Sequence, residues 1–289
     1  MIGPSCICAY IDEIDNPYPF LSIFWKNELS CPLAGQSAFG TPPIPRQAIV
    51  RRPDNEHLAT IGKLLEDKGF ATYFDVPGTP KRFFVHIMTT SSHRPYTYPD
   101  GRIDIPSPGG RDGAVKYTDF AIGQFLDKVR QSRWFDDTLF VIVADHCASV
   151  AGKAELPVAK YHIPLIFYGP RLVRPGRVTR LISQIDIAPT LMDALGMEGD
   201  DHFFDKAIHE QGHTPKRAFI SNYQSLGYYK RNILTVLKPK RKIESYAIDP
   251  ATLEAKPTPI DELLRDEAIA YYQTTARAFK LRKLKEPGY

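Results

Sequence analysis

Cysteine is scarce, with four in 289 residues, which excludes a disulfide-stapled scaffold. Cys6 and Cys8 stand two apart, where a mutual bridge is geometrically awkward. No apolar run approaches the roughly 18 residues of a membrane span. Neither sign of charge dominates: 37 Lys and Arg against 33 Asp and Glu leave +4, a balance that does not predict a nucleic-acid partner. The N-terminus has no basic segment and meets Asp12 and Glu13 early, so no secretory signal is expected. Internal repeats and low-complexity tracts are absent too. What remains is ordinary for a globular chain, 43% hydrophobic and 24% charged, and long enough to bury a substantial core. Proline is the exception. There are 25, scattered along the chain, and they predict many short connections.

Residues 1–41 are expected to be irregular. SCICAYI offers a possible strand, PYPFLSIFW an apolar, aromatic segment, and SCPLAGQSAFGTPPIP reads as turn chemistry. Beyond Arg51, HLATIGKLLEDKGF places Leu58, Ile61, Leu64 and Leu65 at helical spacing, with Gly69 as a stop. FFVHIM (83–88), TLFVIVA (138–144) and IPLIFYG (163–169) are predicted strands. Between the first two, YTDFAIGQFLDKVRQ (117–131) aligns Phe120, Ile122, Phe125, Leu126 and Val129 on one helical side. SQIDIAPTLMDAL (183–195) begins with a capping residue and carries an early proline, as helices tolerate. RAFISNY, ILTVLK and KIESYAI suggest three later strands. Continuous apolar strands alternating with amphipathic helices predict an α/β fold whose sheet is covered on both faces.

In such folds the chemistry gathers where strands end. TLFVIVA runs into Asp145 and His146, an oxygen and a nitrogen donor suited to a divalent ion. FFVHIM leads to His93 and Arg94, and His162 stands just before IPLIFYG. Imidazoles and a guanidinium beside a metal suit a substrate rich in oxyanions. Blander roles compete for each residue. An isolated Asp-His pair is commonly a cap or a surface hydrogen bond. His86 reads as a core histidine, and His57, His202, His209 and His213 as exposed. Asp186 reads as a helix cap, Cys147 as a small buried side chain, and Asp100, Asp104 and Arg111 as residues that solvate their loop.

The runs FFVHIMTTSSHRPYTYPDGRIDIP, GAVKYTDFAIGQFL, VIVADHCASVAGKAELPVAKYHIPLIFYGP and SQIDIAPTLMDALG together resemble the catalytic domain of lipoteichoic-acid-synthase-like proteins. These are phosphoglycerol and phosphoethanolamine transferases of the alkaline phosphatase and sulfatase superfamily. The resemblance extends from about residue 42 to 250, and includes PPIPRQAIVRRPDNE, FISNYQSLGYYKRN and KIESYAID. It implies a sulfatase-like mixed sheet with helices on both faces, in a shortened catalytic domain over 42–250 followed by a helical tail over 251–289. It also implies a divalent metal, manganese or zinc, with Asp145 and His146 as metal ligands. His93 and His162 take catalytic roles, and His93, Arg94 and His162 touch substrate. The implied partners are a phospholipid head group and a glycan or polymer acceptor.

The chain departs from the family at three points. The strand ending in Glu-Ser that supplies the first metal ligand is expected to be missing or replaced, with Asp12 and Glu13 as weak substitutes. The threonine nucleophile has no clear counterpart, Ser30 and Thr41 being the nearest candidates. A glycine- and aromatic-rich segment of the relatives is skipped between GFATYFDV and the His93 strand. Three functions follow: an active head-group transferase, an impaired member that only binds, or a soluble hydrolase. The arginine that would follow Cys31-Pro32 in a sulfatase is missing, which argues against that form of hydrolase. The family is extracytoplasmic and membrane-anchored; a chain without signal or anchor is expected to be cytoplasmic or a fragment. The C-terminal DELLRDEAIAYYQTTARAFKLRKLK reads as an amphipathic helix, packed on the domain or touching anionic lipid.

Overall fold

The computed structural model describes the backbone of residues 20–24 and 84–87, and residues 91–92, 94–144, 156–197, 204, 207–208, 216–222 and 224–281 in full. Two sheets organise them. The first has four strands in the order β2-β1-β3-β4: β1 Phe20–Phe24, β2 Phe84–Ile87, β3 Thr138–Val143 and β4 Leu165–Tyr168. β1 runs parallel to both neighbours, with Phe24 level with Ile87 on one side and Ile142 on the other. β4 is antiparallel to β3, pairing Val143 with Leu165. The sheet is therefore mixed.

β1 lies within FLSIF, an aromatic run without the strict alternation that marks a half-buried strand. It takes an interior position in this sheet, between β2 and β3. Trp25 and Lys26 follow it in the sequence. The other candidate strand, SCICAYI, lies outside the described residues, as do Asp12, Glu13 and the expected helix over HLATIGKLLEDKGF.

Side-chain alternation along β3 explains the layers. Leu139, Val141 and Val143 point to one face and pack with Leu165 and Phe167 of β4 against Ile187, Ala188, Leu191 and Met192. Those four belong to helix α2, Ile187–Ala194, which follows a single 3-10 turn at Gln184–Asp186. Phe140 and Ile142 point the other way, onto Phe125, Leu126 and Val129. These three lie on α1, Gly110–Val129. Helices thus cover both faces, as the apolar runs predict. α1 starts seven residues before the expected position because its first turns, GRDGAVK, carry no apolar periodicity.

The second sheet is an antiparallel meander of five strands, β5 Arg217–Ser221, β6 Leu226–Lys230, β7 Ile233–Leu237, β8 Ile243–Ile248 and β9 Ala255–Pro257. One face, with Ile220, Tyr229, Leu234 and Val236, packs on Leu156 and Leu181. The other, with Phe219 and Tyr228, receives Leu264, Ala268 and Tyr272 of α3, Glu262–Lys280. Asp261 caps α3, its side chain accepting from Leu264 N at 3.0 Å. Of the two roles open to this helix in the sequence, packing on the domain is the one its buried stripe fulfils.

Candidate functional site

Because β1, β2 and β3 are parallel, the chain leaves all three at one end of the first sheet. β3 delivers Ala144 there, the residue before Asp145 and His146. β4 begins opposite that point, and the Ala144 backbone N–H donates to Pro164 O at 3.3 Å. His162, two residues before Pro164, is exposed at the end of a 3-10 turn, Val158–Tyr161. β2 exits to Ser92, whose hydroxyl is 3.1 Å from that of Thr118 on α1, and then to Arg94, which is exposed. The topology therefore brings the segments bearing every strand-end candidate to one rim. His93, Asp145 and His146 themselves, the nucleophile candidates Ser30 and Thr41, and Cys147 lie outside the described residues.

Asp186 does more than cap. Ser183 N donates to its Oδ2 at 2.7 Å within a capping box, and the same carboxylate receives both terminal nitrogens of Arg217 from β5. Asp186 is fully buried, so it belongs to the frame. Burial opposes the Arg217 charge, but the Asp186 carboxylate outweighs it and holds the guanidinium above its ordinary pKa. The network continues to the site: Ser183 Oγ accepts from Phe219 N at 3.3 Å, and Gln184 Nε2 donates to Ala144 O at 3.3 Å. Tyr161 OH donates to Ser221 O at 3.0 Å, tying the turn before His162 to the end of β5. The S-x-x-D pattern over 183–186 makes the capping box legible in the sequence; the Gln184 contact carries no local signature.

The loop after Arg94 is also more than solvated. Tyr98 is buried; its N–H donates to Ser107 Oγ at 3.0 Å, and its hydroxyl reaches Ile105 O and Pro106 O at 3.3 and 3.1 Å. Its ring stacks on Tyr117 of α1 at 5.2 Å. Asp104 is paired with Lys116, Asp100 accepts from Ser107 N at 3.3 Å, and Arg111 donates to Tyr96 OH at 3.3 Å. The expectation that Asp100, Asp104 and Arg111 only solvate this loop is corrected: each joins it to α1 or to itself.

An α/β unit with helices on both faces of its sheet, and the segments bearing its candidate groups at one strand-end rim, fits the comparisons with known proteins. The Sulfatase family model matches residues 24–197, and the chain belongs to that family. Lipoteichoic acid synthase 2 of Bacillus subtilis (strain 168) is 25% identical over 144 residues, covering 43% of this chain and 22% of that protein. Phosphoglycerol transferase I of Escherichia coli (strain 55989 / EAEC) is 23% identical over 195 residues, covering 63% of this chain and 25% of that protein. The chain thus spans about a quarter of the length of these curated relatives. Among solved structures, a protein of the alkaline phosphatase superfamily from Vibrio parahaemolyticus superposes with TM-score 0.80 at 23% identity, covering 98% of this chain and 91% of that one. The lipoteichoic acid synthase LtaP of Listeria monocytogenes gives 0.69 at 16% identity, over 94% and 95%. These likenesses establish the alkaline phosphatase and sulfatase-like fold.

Proposed function

We propose that the protein is a metal-dependent transferase of phosphoglycerol- or phosphoethanolamine-type head groups, from a phospholipid to a glycan or polymer acceptor. The observation that carries this reading is the delivery of the chain segments around Arg94, Ala144 and His162 to one end of a sheet in a sulfatase-family fold. Asp145 and His146 would hold manganese or zinc, their carboxylate and imidazole being donors that both ions accept. When bound, such an ion polarises a phosphoryl oxygen and lowers the pKa of a hydroxyl beside it. His93 and His162 would move protons at the attacking and leaving oxygens, and Arg94 would hold a non-bridging oxygen through its guanidinium. Two protein donors are fewer than the three or four of a well-held ion; Ser30 or Thr41 would have to bring the attacking hydroxyl.

A second reading, an impaired member that binds without turnover, has one specific observation in its favour. β1 is followed in sequence by Trp25-Lys26-Asn27, so the nearest carboxylate, Glu28, stands four residues past Phe24 and not at the strand end. Incubation with phosphatidylglycerol or a chromogenic phosphodiester, with manganese or zinc added, separates the two. Turnover of about 1 per second or more, typical of competent enzymes, and lost in Asp145→Ala, supports an active metal-dependent enzyme; a folded chain with no turnover supports the impaired member. Mass spectrometry of Ser30→Ala and Thr41→Ala variants then identifies the residue that carries a trapped head group. If neither matters and Asp145→Ala does, water is the attacking group and the protein is a hydrolase.

A further inference from the structure

The loop between β7 and β8, residues 238–242, carries four cations, Lys238, Lys240, Arg241 and Lys242, beside a single proline. Lys238 N donates to Lys242 O at 2.8 Å and closes the loop. Glu244 on β8 takes two of the cations. Its carboxylate pairs with Lys238 and with Lys242, the latter at 2.8 Å, and accepts from Tyr246 OH at 2.6 Å. Lys240 and Arg241 are left over. Both are exposed, and among the described residues no carboxylate meets either. Their backbones stand at φ 58° and 60°, in the left-handed region that disfavours a residue with a Cβ. The two paired lysines thus hold a strained tip that presents two uncancelled charges.

The strand register gives this loop its place. Leu226 pairs with both Ser221 and Leu237, and Leu237 with Ile243. The 222–225 turn and the 238–242 loop therefore leave the second sheet at the same end. Ser221 and Leu237 flank β6, two strand spacings or about 10 Å apart. Tyr161, the residue before His162, donates from its hydroxyl to Ser221 O at 3.0 Å. Tyr246, the partner of Glu244, lies in the same apolar cluster as Val158 and Tyr161. The basic loop and the turn before His162 share one end of the second sheet.

We propose that the 238–242 loop docks the protein on an anionic lipid surface, with Lys240 and Arg241 as the contacts. The choice of a lipid rests on the transferase reading above, in which the head group arrives on a phospholipid. A hairpin tip has no walls to enclose a single ligand, but it lays its cations on a plane of phosphates. Arg241 offers a planar fork and Lys240 a point charge. No large apolar side chain stands in the loop, so attachment is electrostatic, reversible and weakened by salt. Docking at this end brings the His162 side of the rim toward the surface that supplies the donor.

The test is sedimentation of the whole chain with vesicles of phosphatidylglycerol in phosphatidylcholine, and with phosphatidylcholine alone as the blank. The wild type is expected to bind the first and not the second, and less as salt is raised. Lys240→Gln combined with Arg241→Gln is expected to weaken binding about thirtyfold, the scale of two basic residues near an anionic surface. Lys128→Gln combined with Arg133→Gln removes the same charge from exposed positions ahead of β3, away from the rim. It is expected to change binding about twofold at most. Glu244→Gln frees Lys238 and Lys242 and is expected to strengthen binding about fivefold, a direction that a merely structural role would not give. Thermal melts show that each variant folds. Equal binding to both vesicles, no binding by the wild type at low salt, or equal losses in the two double variants overturns the proposal. Tighter binding to soluble poly(glycerol phosphate) than to vesicles of equal phosphate, lost in the loop variant, also overturns it and assigns the loop to a polymer. Docking through the loop without turnover of any diester keeps the surface and removes the transferase. Turnover without vesicle binding does the reverse.

Discussion

Arg217 and Asp186, 31 positions apart, meet through two parallel hydrogen bonds, Nη2 to Oδ1 at 2.7 Å and Nη1 to Oδ2 at 3.0 Å. Their side chains are 5% and 0% exposed. The pair joins β5 of the second sheet to the turn that starts α2 on the first. Removing one partner leaves a buried charge alone, which costs about 3–5 kcal/mol. Arg217→Met or Asp186→Asn is therefore expected to lower stability by that order in urea unfolding. Arg217→Met combined with Asp186→Leu should recover much of the loss, because no buried charge is left behind.

Gln184 is the link from that frame to the candidate metal position. Its Nε2 holds Ala144 O, directly before Asp145. Gln184→Leu removes the donor while nearly keeping volume, and is expected to weaken manganese binding about tenfold, at the scale reported for groups that orient metal ligands. Calorimetric titration of the variant checks this, with kcat/KM falling in step if turnover is present. An unchanged isotherm would mean that Ala144 is held well enough by Pro164 alone.

The glycines at the start of α1 are packing residues. A Cβ at Gly109 or Gly113 would overlap the Tyr98 hydroxyl. Gly113→Ala is expected to destabilise by about 1–3 kcal/mol, the range for overpacking, although alanine is the better helix former. Tyr98→Phe removes the overlapping oxygen, so the double variant should be more stable than the sum of the single changes. Chemical denaturation of the four proteins completes the cycle.

Glu244 gives a pH-dependent term. Lys238, Lys242 and Tyr246 hydrogen-bond its carboxylate and pull its pKa down to about 2, against 4.5 for a free glutamate. A carboxyl whose folded pKa is depressed contributes stability in full above its unfolded pKa and loses it as pH falls through the folded one. The wild type is therefore expected to exceed Glu244→Gln by about 1 kcal/mol above pH 5, after allowance for solvent screening. The gap should close between about pH 4.5 and 2. Thermal melts across that range measure it.

Some of these features are legible in the chain and some are not. β3 reads directly from TLFVIV because its residues are uncharged and buried on both faces. The start of α1 does not, since PGGRDG spells a turn and only Tyr98, folded back from the loop, gives those glycines a reason to be helical. β6 hides for a related cause. Gly227 sits where a Cβ would come 2.7 Å from Ile220 Cγ1, and the hairpin turns at Arg231 and Asn232 with φ 53° and 59°, without the Asn-Gly signal such turns prefer. Arg94 and His162 carry their positions in the strand ends beside them. Arg111 does not, because its meaning comes from Tyr96, fifteen residues earlier.

The central place of β1 bears on how the chain can be divided. The family match starts at residue 24, the last residue of that strand. A fragment cut at that boundary discards the strand that, among the described residues, is hydrogen-bonded to both β2 and β3. It would leave β2 without its described neighbour and turn the interior side of β3 into an open edge, a template for pairing with other chains. The unit of similarity is therefore smaller than the unit of folding. A soluble fragment has to begin upstream of Phe20, and one that begins at residue 25 is expected to aggregate on expression.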